Sequence, residues 1–217
     1  MAQPGSGVDG REAPCRIELL CRPPHTSTLG PSFMHSLLAQ IEGSLHSGHY
    51  FLSLFAALSV PDIAGALSST DGTASSKKYE AWYEEWVRPR FFESVLAGVP
   101  AHARPHISHM ENPLTGAACY QFRCSLLHQG SSQHPKSPFS RIIFIEPGAT
   151  SNTVHYCTMN DALCIDLSAF CSEVVGGGRA WLQEAATQEA YVKNYERFAR
   201  RHEGGLAPYI VGVPVIG

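Results

Sequence analysis

The sequence predicts a mainly α-helical protein: a helical bundle with a small antiparallel β-hairpin or sheet inserted near residues 140–167. Apolar residues recur at helical spacing through most of residues 33–202, whereas short β-branched and aromatic runs cluster between residues 141 and 166. Hydrophobic residues make up 44% of the 217 and charged residues 16%. A chain of this length and composition can bury a core of its own, so we expect a single domain over residues 33–202.

The net charge and the cysteines limit the class of protein. A formal net charge of −3 gives no general attraction for phosphate, so it neither supports nor excludes RNA as a partner. The seven cysteines form no close CxxC pair, which favours free thiols in a reducing compartment. No uninterrupted run of about 18 apolar residues and no signal sequence occurs. We therefore expect a cytoplasmic protein that does not contact membranes.

The first half of the chain predicts a flexible leader followed by helices. Residues 1–32 are rich in Pro, Gly and Ser without any sustained period. From Phe33, apolar residues at helical spacing predict one buried helix of about six turns, which Pro61 ends while starting a short second helix. Residues 76–97 predict an amphipathic helix with its aromatic residues on one stripe.

The second half predicts one further helix, the sheet and two closing helices. Thr115 and Gly130 are suitable caps for the helix TGAACYQFRCSLLHQ. The runs RIIFI, TVHYCT and ALCIDL predict strands, for which an antiparallel sheet is the economical arrangement. Two helices follow, with VGGG as a C-cap and hinge between them, and the second extends to His202. Residues 203–217 form an apolar C-terminal tail.

Arg123 is the single charged residue on an otherwise apolar helix. A buried guanidinium without a partner is costly, so Arg123 needs a carboxylate, a water-filled cleft or a bound anion. Asp62, Glu80 and Glu84 are the candidate carboxylates. His128 follows five residues later, about 140° around the helix, where the two side chains can flank a groove at the helix end.

The segment RCSLLH, near the end of a bundle helix, resembles the R-x4-6-H motif of the HEPN superfamily. This family comprises helical domains found in RNases of toxin–antitoxin, CRISPR-associated and abortive-infection systems. The resemblance covers this helix and the general bundle architecture; many members carry Asn where this chain has Cys124. It implies cleavage of RNA without a metal or other cofactor, at a composite site in a homodimer, with an antitoxin or other protein as a possible partner. Arg123 would stabilise the phosphorane and His128 would act as general base or acid.

The same spacing occurs twice more, so context has to distinguish the matches. Pro105 follows Arg104, which predicts a loop for the match from Arg104 to His109. The match from Arg197 to His202 lies in the basic last turn of an exposed helix. Only Arg123 and His128 share a buried helix, and they are therefore the predicted catalytic residues.

The predicted substrate-binding residues are Asp62, His49, Tyr120 and Ser125. Asp62 follows Pro61 at an expected helix start, where it either caps the helix or orients Arg123. The chain has further histidines in HSGH and between residues 102 and 109, but no HExxH motif and no nearby acidic pair completes a metal site. The sequence therefore predicts no metal.

Two alternatives stay open. The aromatic stripe of residues 79–86 could stack on bases, although its helical spacing favours core packing. The whole domain could also be a non-catalytic helical module that binds a protein or a small anionic ligand, with Arg123 as a structural ion pair. A shared cleft holding Arg123 and His128 would favour the nuclease, whereas a closed core around the ion pair would favour the binding module.

Overall fold

The computed structural model describes residues 33–97, 99–151 and 154–217, so the predicted leader at residues 1–32 lies outside the described residues. The chain separates into two compact units, one that ends at Ala199 and one that contains Arg200–Gly217. The mainly helical class is confirmed. In chain order the helices are α1 (Phe33–His46), α2 (Tyr50–Leu67), α3 (Ser76–Trp86), α4 (Arg90–Ala97), α5 (Gly116–Gln129), α6 (Leu167–Ala185) and α7 (Glu189–Tyr195), with a short 3-10 turn at Arg104–His106. The strands are β1 (Arg141–Ile145), β2 (Cys157–Met159), β3 (Ala162–Asp166), β4 (Arg201–His202), β5 (Gly205–Leu206), β6 (Ile210–Val211) and β7 (Val215–Ile216).

The first predicted helix is in fact two helices, α1 and α2. Gly48, between them, has φ +75°, a left-handed conformation that interrupts the helix and that glycine adopts at little cost. Pro61 lies inside α2 and is buried, so the prediction that it ends the helix is wrong. By length and composition α2 could cross a membrane, but 56% of that window is buried inside the protein, as in the core helix of a soluble protein.

The predicted helix over residues 76–97 is also divided, into α3 and α4. Ser75 caps α3 by accepting a hydrogen bond from the amide of Lys78 at 3.4 Å. Residues 87–89, which include Pro89, separate the two helices. On α5 both predicted caps are confirmed: the Thr115 hydroxyl accepts from Ala118 N at 3.2 Å, and Gly130 is left-handed with φ +64°.

The runs RIIFI and ALCIDL form strands as predicted, whereas only Cys157 and Thr158 of TVHYCT lie in a strand. The sheet is mixed rather than antiparallel. β3 is central: it pairs parallel with β1 and antiparallel with β2. Asn160 and Asp161 have positive φ values of 47° and 63°, which fits a two-residue hairpin turn between β2 and β3. The prediction of an antiparallel sheet fails because β3, and not β2, lies next to β1. The hairpin reverses the chain between β2 and β3, so β3 runs in the same direction as β1.

The glycines of VGGG lie within α6 and neither cap nor interrupt it, contrary to the prediction. They allow close packing: a Cβ at Gly177 would lie 2.5 Å from the backbone oxygen of Trp86, and one at Gly178 would lie 2.9 Å from a methyl carbon of Leu38. The predicted long helix to His202 is wrong as well, because α6 ends at Ala185, α7 is separate, and His202 lies in β4.

The core of the larger unit lies where α1, α2, α3, α5 and α6 meet, and the sheet packs against the same core. Its largest fully buried side chains include Tyr79, Tyr83 and Phe170. In the smaller unit, β4 pairs antiparallel with β7 and β5 with β6, so the predicted apolar tail contains short strands. This arrangement places α5 between α3, α2 and the sheet, and so fixes the surroundings of Arg123.

Candidate functional site

Arg123 on α5 contacts Asp62 on α2. The Arg123 Nη2 and Asp62 Oδ2 atoms lie 2.7 Å apart, and the two side chains are 20% and 14% exposed. Asp62 lies inside α2, one residue after Pro61, and therefore does not cap a helix. The contact is an ion pair rather than an aligned hydrogen bond: within the described residues, Asp62 Oδ2 and Arg123 Nε have no hydrogen-bond partner.

His128 completes a three-membered cluster with Arg123 and Asp62. Its Nε2 atom lies 3.0 Å from Arg123 Nη1. A guanidinium can only donate, so Nε2 accepts and the neutral ring carries its proton on Nδ1. His128 lies in the last turn of α5 and is exposed. The long arginine side chain spans the angle between the two positions, so the residues touch instead of lying on opposite sides of a groove.

The electrostatics of the pair are set by burial and by mutual attraction. Burial raises the pKa of the Asp62 carboxyl above its ordinary value of 3.8, and the charges of Arg123 and His128 offset only part of this effect. Burial acts to lower the pKa of Arg123, but the Asp62 carboxylate and Cys124 outweigh it and raise that pKa. Arg123 therefore stays cationic, whereas the charged form of Asp62 is incompletely compensated.

Tyr120 and Cys124 lie on the same stripe of α5 as Arg123. Cys124 Sγ is 3.9 Å from Arg123 Nη1. A hydrogen bond between Tyr120 and Cys124 raises the pKa of the tyrosine, as does burial to a smaller extent. Tyr120 also packs edge-on against Tyr79, with ring centroids 5.3 Å apart. Cys124 was not predicted as a site residue, although its position next to Arg123 and one turn before His128 could have indicated it.

The other two predicted substrate-binding residues, Ser125 and His49, lie away from the Arg123 cluster. Ser125 is fully buried and faces the core, because two residues along a helix turn the side chain about 200° away from Arg123. His49 precedes α2, thirteen residues before Asp62, which corresponds to about 20 Å along the helix axis. Ser125 and His49 therefore do not join the cluster.

The two other Arg-x4-His matches form local contacts of a different kind. Arg104 Nε donates to the backbone oxygen of Val99 at 2.9 Å, and His109 packs against the ring of Phe92. Arg104 lies in the 3-10 turn rather than in an irregular loop. Arg197 donates to Asn194 Oδ1 at 2.8 Å. Among the described contacts, only the match on α5 brings an arginine and a histidine together.

A second polar cluster, which the sequence did not reveal, surrounds Glu173 on α6. His155 Nε2 lies 3.1 Å from Glu173 Oε1, and the Tyr156 hydroxyl donates to Oε2 at 2.6 Å. The amide of Asp166 donates to His155 Nδ1 at 3.2 Å. The carboxylate and the imidazole are separated by eighteen positions in elements of different type. No periodicity connects such residues, so only the tertiary structure shows them together.

Among residues 33–97, 99–151 and 154–217 there is no group of three or more His, Cys, Asp or Glu side chains placed to hold a metal ion. The groups around Arg123 are one cation, one carboxylate, one neutral acceptor nitrogen and a tyrosine–cysteine pair at the edge of the cluster.

Comparison of the chain with protein-family models, with curated proteins and with solved structures gave no match.

Proposed function

We propose that the protein is a metal-independent endoribonuclease of the HEPN type, active in the cytoplasm as a toxin or antiviral-defence effector. The observation that carries the proposal is the 3.0 Å contact between Arg123 Nη1 and His128 Nε2 at the exposed end of α5. Arg123 supplies a permanent cation and His128 an unprotonated ring nitrogen within the same few ångströms. These are the two groups that cleavage of RNA through its own 2′-hydroxyl requires.

In the proposed reaction the substrate phosphate first draws Arg123 Nη1 away from His128 Nε2, and the freed Nε2 takes the proton of the ribose 2′-hydroxyl. The 2′-oxygen then attacks phosphorus, the bond from phosphorus to O2′ forms and the bond to O5′ breaks. The leaving 5′-oxygen receives a proton from the protonated His128 of a second copy. Arg123 neutralises the charge that develops on the non-bridging phosphate oxygens, because a guanidinium matches phosphate geometry with paired N–H donors. The products are a 2′,3′-cyclic phosphate and a 5′-hydroxyl.

Asp62 is a positioning residue in this proposal. Its carboxylate holds one terminal nitrogen of Arg123 at 2.7 Å and leaves Nη1 directed toward His128. The Arg123 Nε atom, which has no partner in the described part of the chain, is a further donor for a phosphate once the side chain adjusts. Tyr120, at the edge of the cluster, is placed to contact the RNA. The proposal includes a HEPN-like bundle of the main helices, pairing of two α5 helices in a homodimer, and control by an antitoxin.

The test is to incubate the purified protein with mixed RNA in EDTA and to analyse the product ends for 2′,3′-cyclic phosphate. We expect Arg123→Ala to lower the cleavage rate by about 100- to 1,000-fold, since it removes the charge that stabilises the transition state. His128→Ala should lower it by about 100- to 10,000-fold. The matched controls are Arg104→Ala and His109→Ala, which alter the same spacing outside the site and should retain wild-type cleavage.

Folding is measured alongside activity. His128 is exposed, so His128→Ala should change the free energy of unfolding by no more than about 0.5 kcal/mol. Metal-free cleavage that survives both substitutions would contradict the proposal. Loss of activity that occurs only together with loss of the fold would contradict it equally.

The ion pair between Arg123 and Asp62 favours a second candidate function. A half-buried pair at 2.7 Å is what a non-catalytic helical binding module would use to join α2 and α5. In that case His128→Ala has no consequence, and RNA with EDTA yields no cyclic phosphate ends. The same experiment therefore distinguishes the two functions.

A further inference from the structure

The hairpin of β2 and β3 carries two cysteines at directly opposite positions. Cys157 on β2 and Cys164 on β3 are register partners in the antiparallel ladder, and both are free thiols. Side chains of directly opposite residues point to the same face of a sheet. Among the described cysteines, these are the only two that occupy partner positions on adjacent strands.

The face of the sheet that carries these two cysteines reaches the protein surface. Ile143 of β1 is the register partner of Cys164 on the other side and is 40% exposed, and Cys157 is exposed as well. Leu163 and Ile165, which alternate with Cys164 along β3, are fully buried in the core. Cys164 itself is 5% exposed, because β3 is the central strand. One thiol is therefore open to a reagent in solution, and its partner lies opposite and is shielded.

The spacing of the two strands suits a disulfide bond. Directly opposite residues of antiparallel strands have Cα atoms about 4.5–5.5 Å apart, inside the range of roughly 4.4–6.8 Å that disulfides span. Their Cβ atoms, about 4.5–5.5 Å apart, have to approach to about 3.5–4.5 Å. The strand β2 can make this small movement, since it is a three-residue edge strand whose residues are all exposed.

We propose that Cys157 and Cys164 are a redox-sensitive thiol pair, which a low-molecular-weight disulfide such as glutathione disulfide converts into an intramolecular disulfide. The exposed Cys157 reacts first. Its thiolate attacks one sulfur of the oxidant, the bond between the two oxidant sulfurs breaks, and one thiolate leaves. A mixed disulfide remains on Cys157.

Cys164 completes the reaction. Its thiolate attacks Cys157 Sγ, the bond between the two protein sulfurs forms, and the second oxidant thiolate leaves. The protons of the two protein thiols end on the two released thiols, and two electrons pass from the protein to the oxidant. The burial of Cys164 does not prevent this step, because its target is the adjacent Cys157 and not a molecule in solution.

The disulfide joins the two chain segments that hold His155. Cys157 Sγ donates to the backbone oxygen of His155 at 3.6 Å. Cys164 lies two residues before Asp166, whose amide donates to His155 Nδ1 at 3.2 Å. Oxidation therefore locks the hairpin beside the Glu173 cluster, and reduction releases it. None of these residues belongs to the Arg123 cluster, so the thiol pair and the proposed cleavage of RNA are independent.

Peptide mapping tests the proposal directly. The folded protein is incubated with glutathione disulfide, its remaining free thiols are alkylated, and it is digested without reductant by trypsin and a protease that cleaves before aspartate. These cuts place Cys157, Cys164 and Cys171 on separate peptides, residues 142–160, 161–165 and 166–179. We expect peptides 142–160 and 161–165 to be joined until a reductant is added, in at least about 10-fold excess over 142–160 joined to 166–179, since only the first pair is held at bonding distance.

Serine variants test the order of the two steps. In Cys164→Ser, Cys157 should stop at the mixed disulfide with glutathione, whereas in Cys157→Ser the shielded Cys164 should remain a free thiol. The matched control is Cys124→Ser, on α5, which should form the linked peptides like the wild type. A wild type in which Cys157 keeps glutathione, stays unmodified or joins mainly to another cysteine would overturn the proposal, and that result needs no variant to fold.

Discussion

The Arg123 cluster and the Glu173 cluster are built alike and differ in how completely their polar atoms are satisfied. Each has a charged side chain in contact with two partners, one of which is a histidine. At the Arg123 cluster the ion-paired side chains are 20% and 14% exposed, and the histidine, His128, is exposed. At the Glu173 cluster the His155 and Glu173 side chains are 8% and 5% exposed. The first cluster is partly exposed, mainly through His128, and the second is closed.

The two clusters also differ in how many of their polar atoms have hydrogen-bond partners. Both oxygens of Glu173 have a partner, and His155 Nδ1 accepts a backbone N–H, so the neutral ring carries its proton on Nε2 and donates it to the carboxylate. In the other cluster Asp62 Oδ2 and Arg123 Nε have no hydrogen-bond partner among the described residues. Buried polar groups that are fully bonded maintain structure, whereas groups with unused bonding capacity can serve a ligand. The closed cluster is therefore suited to a structural role, and the open one is the candidate functional site.

The largest effect that tests this contrast is expected for Glu173→Ala. The substitution leaves the buried Tyr156 hydroxyl and the His155 N–H without an acceptor, at a cost of roughly 1–3 kcal/mol for each donor. The melting temperature should fall by about 4 to 20 °C in a domain of this size, measured by circular dichroism. His128→Ala, in the open cluster, should leave the melting temperature nearly unchanged. Equal losses in the two variants would break the comparison.

A smaller effect is expected for the coupling between Asp62 and Arg123, measured by a double-mutant cycle. Each single alanine variant leaves a half-buried charge without its partner and should cost roughly 1–3 kcal/mol of unfolding free energy. The double variant should cost less than the sum of the two, by about 1 kcal/mol or more, because it removes both charges.

The control cycle uses Glu42 and Arg179, an exposed pair with N–O distances of 2.7 and 2.8 Å and side chains 40% and 51% exposed. An exposed pair of this kind couples by roughly 0.2–1 kcal/mol. Coupling between Asp62 and Arg123 below that of the control pair would show that their contact does not hold α2 to α5, and Asp62 would lose its positioning role.

The features of the fold that could be predicted from the sequence depend on local chemistry. Thr115 and Gly130 bound α5 as predicted, since capping needs only neighbouring residues. Pro61 and the glycines of VGGG were misjudged because packing overrides local preference: Pro61 is buried in α2, and Gly177 lets the backbone of Trp86 approach α6. The parallel pairing of β1 with β3 depends on the order of the strands in the sheet, which no local sequence pattern sets.

At the candidate site, too, local features could be predicted from the sequence and tertiary contacts could not. The isolation of Arg123 on an apolar helix indicated that it needs a partner, and the structure supplies Asp62 from another helix. Helical geometry explains why Ser125 faces the core, but no local rule could choose among Asp62, Glu80 and Glu84. Glu84 instead contacts Arg88 at 2.8 Å and accepts from Gly116 N at 2.7 Å.

The smallest expected effect is the contribution of Asp62 to the pH dependence of stability. The sign of this contribution shows whether burial or the attraction to Arg123 dominates the pKa of Asp62. Burial raises the pKa of Asp62 in the folded state above 3.8, so the folded protein holds this proton more tightly than the unfolded chain does. Its contribution to stability is therefore complete below pH 3.8 and is lost as the pH rises through the raised pKa. The free energy of unfolding of the wild type minus that of Asp62→Asn, measured by denaturant unfolding, should decrease as the pH rises through this range. At neutral pH the difference should be constant.

Asp71 gives the matched control with the opposite sign. A hydrogen bond from Lys78, followed by one from the Thr73 backbone, lowers the pKa of Asp71, so its contribution is complete above pH 3.8 and is lost as the pH falls below that value. The difference in unfolding free energy from the wild type should therefore change with pH above 3.8 for Asp62→Asn and below 3.8 for Asp71→Asn. If the wild-type advantage over Asp62→Asn instead grew as the pH rose, attraction to Arg123 would outweigh burial. The burial of the Asp62 charge would then be fully compensated, as that of Glu173 is in the closed cluster. The physical argument that the open cluster binds a ligand would no longer hold.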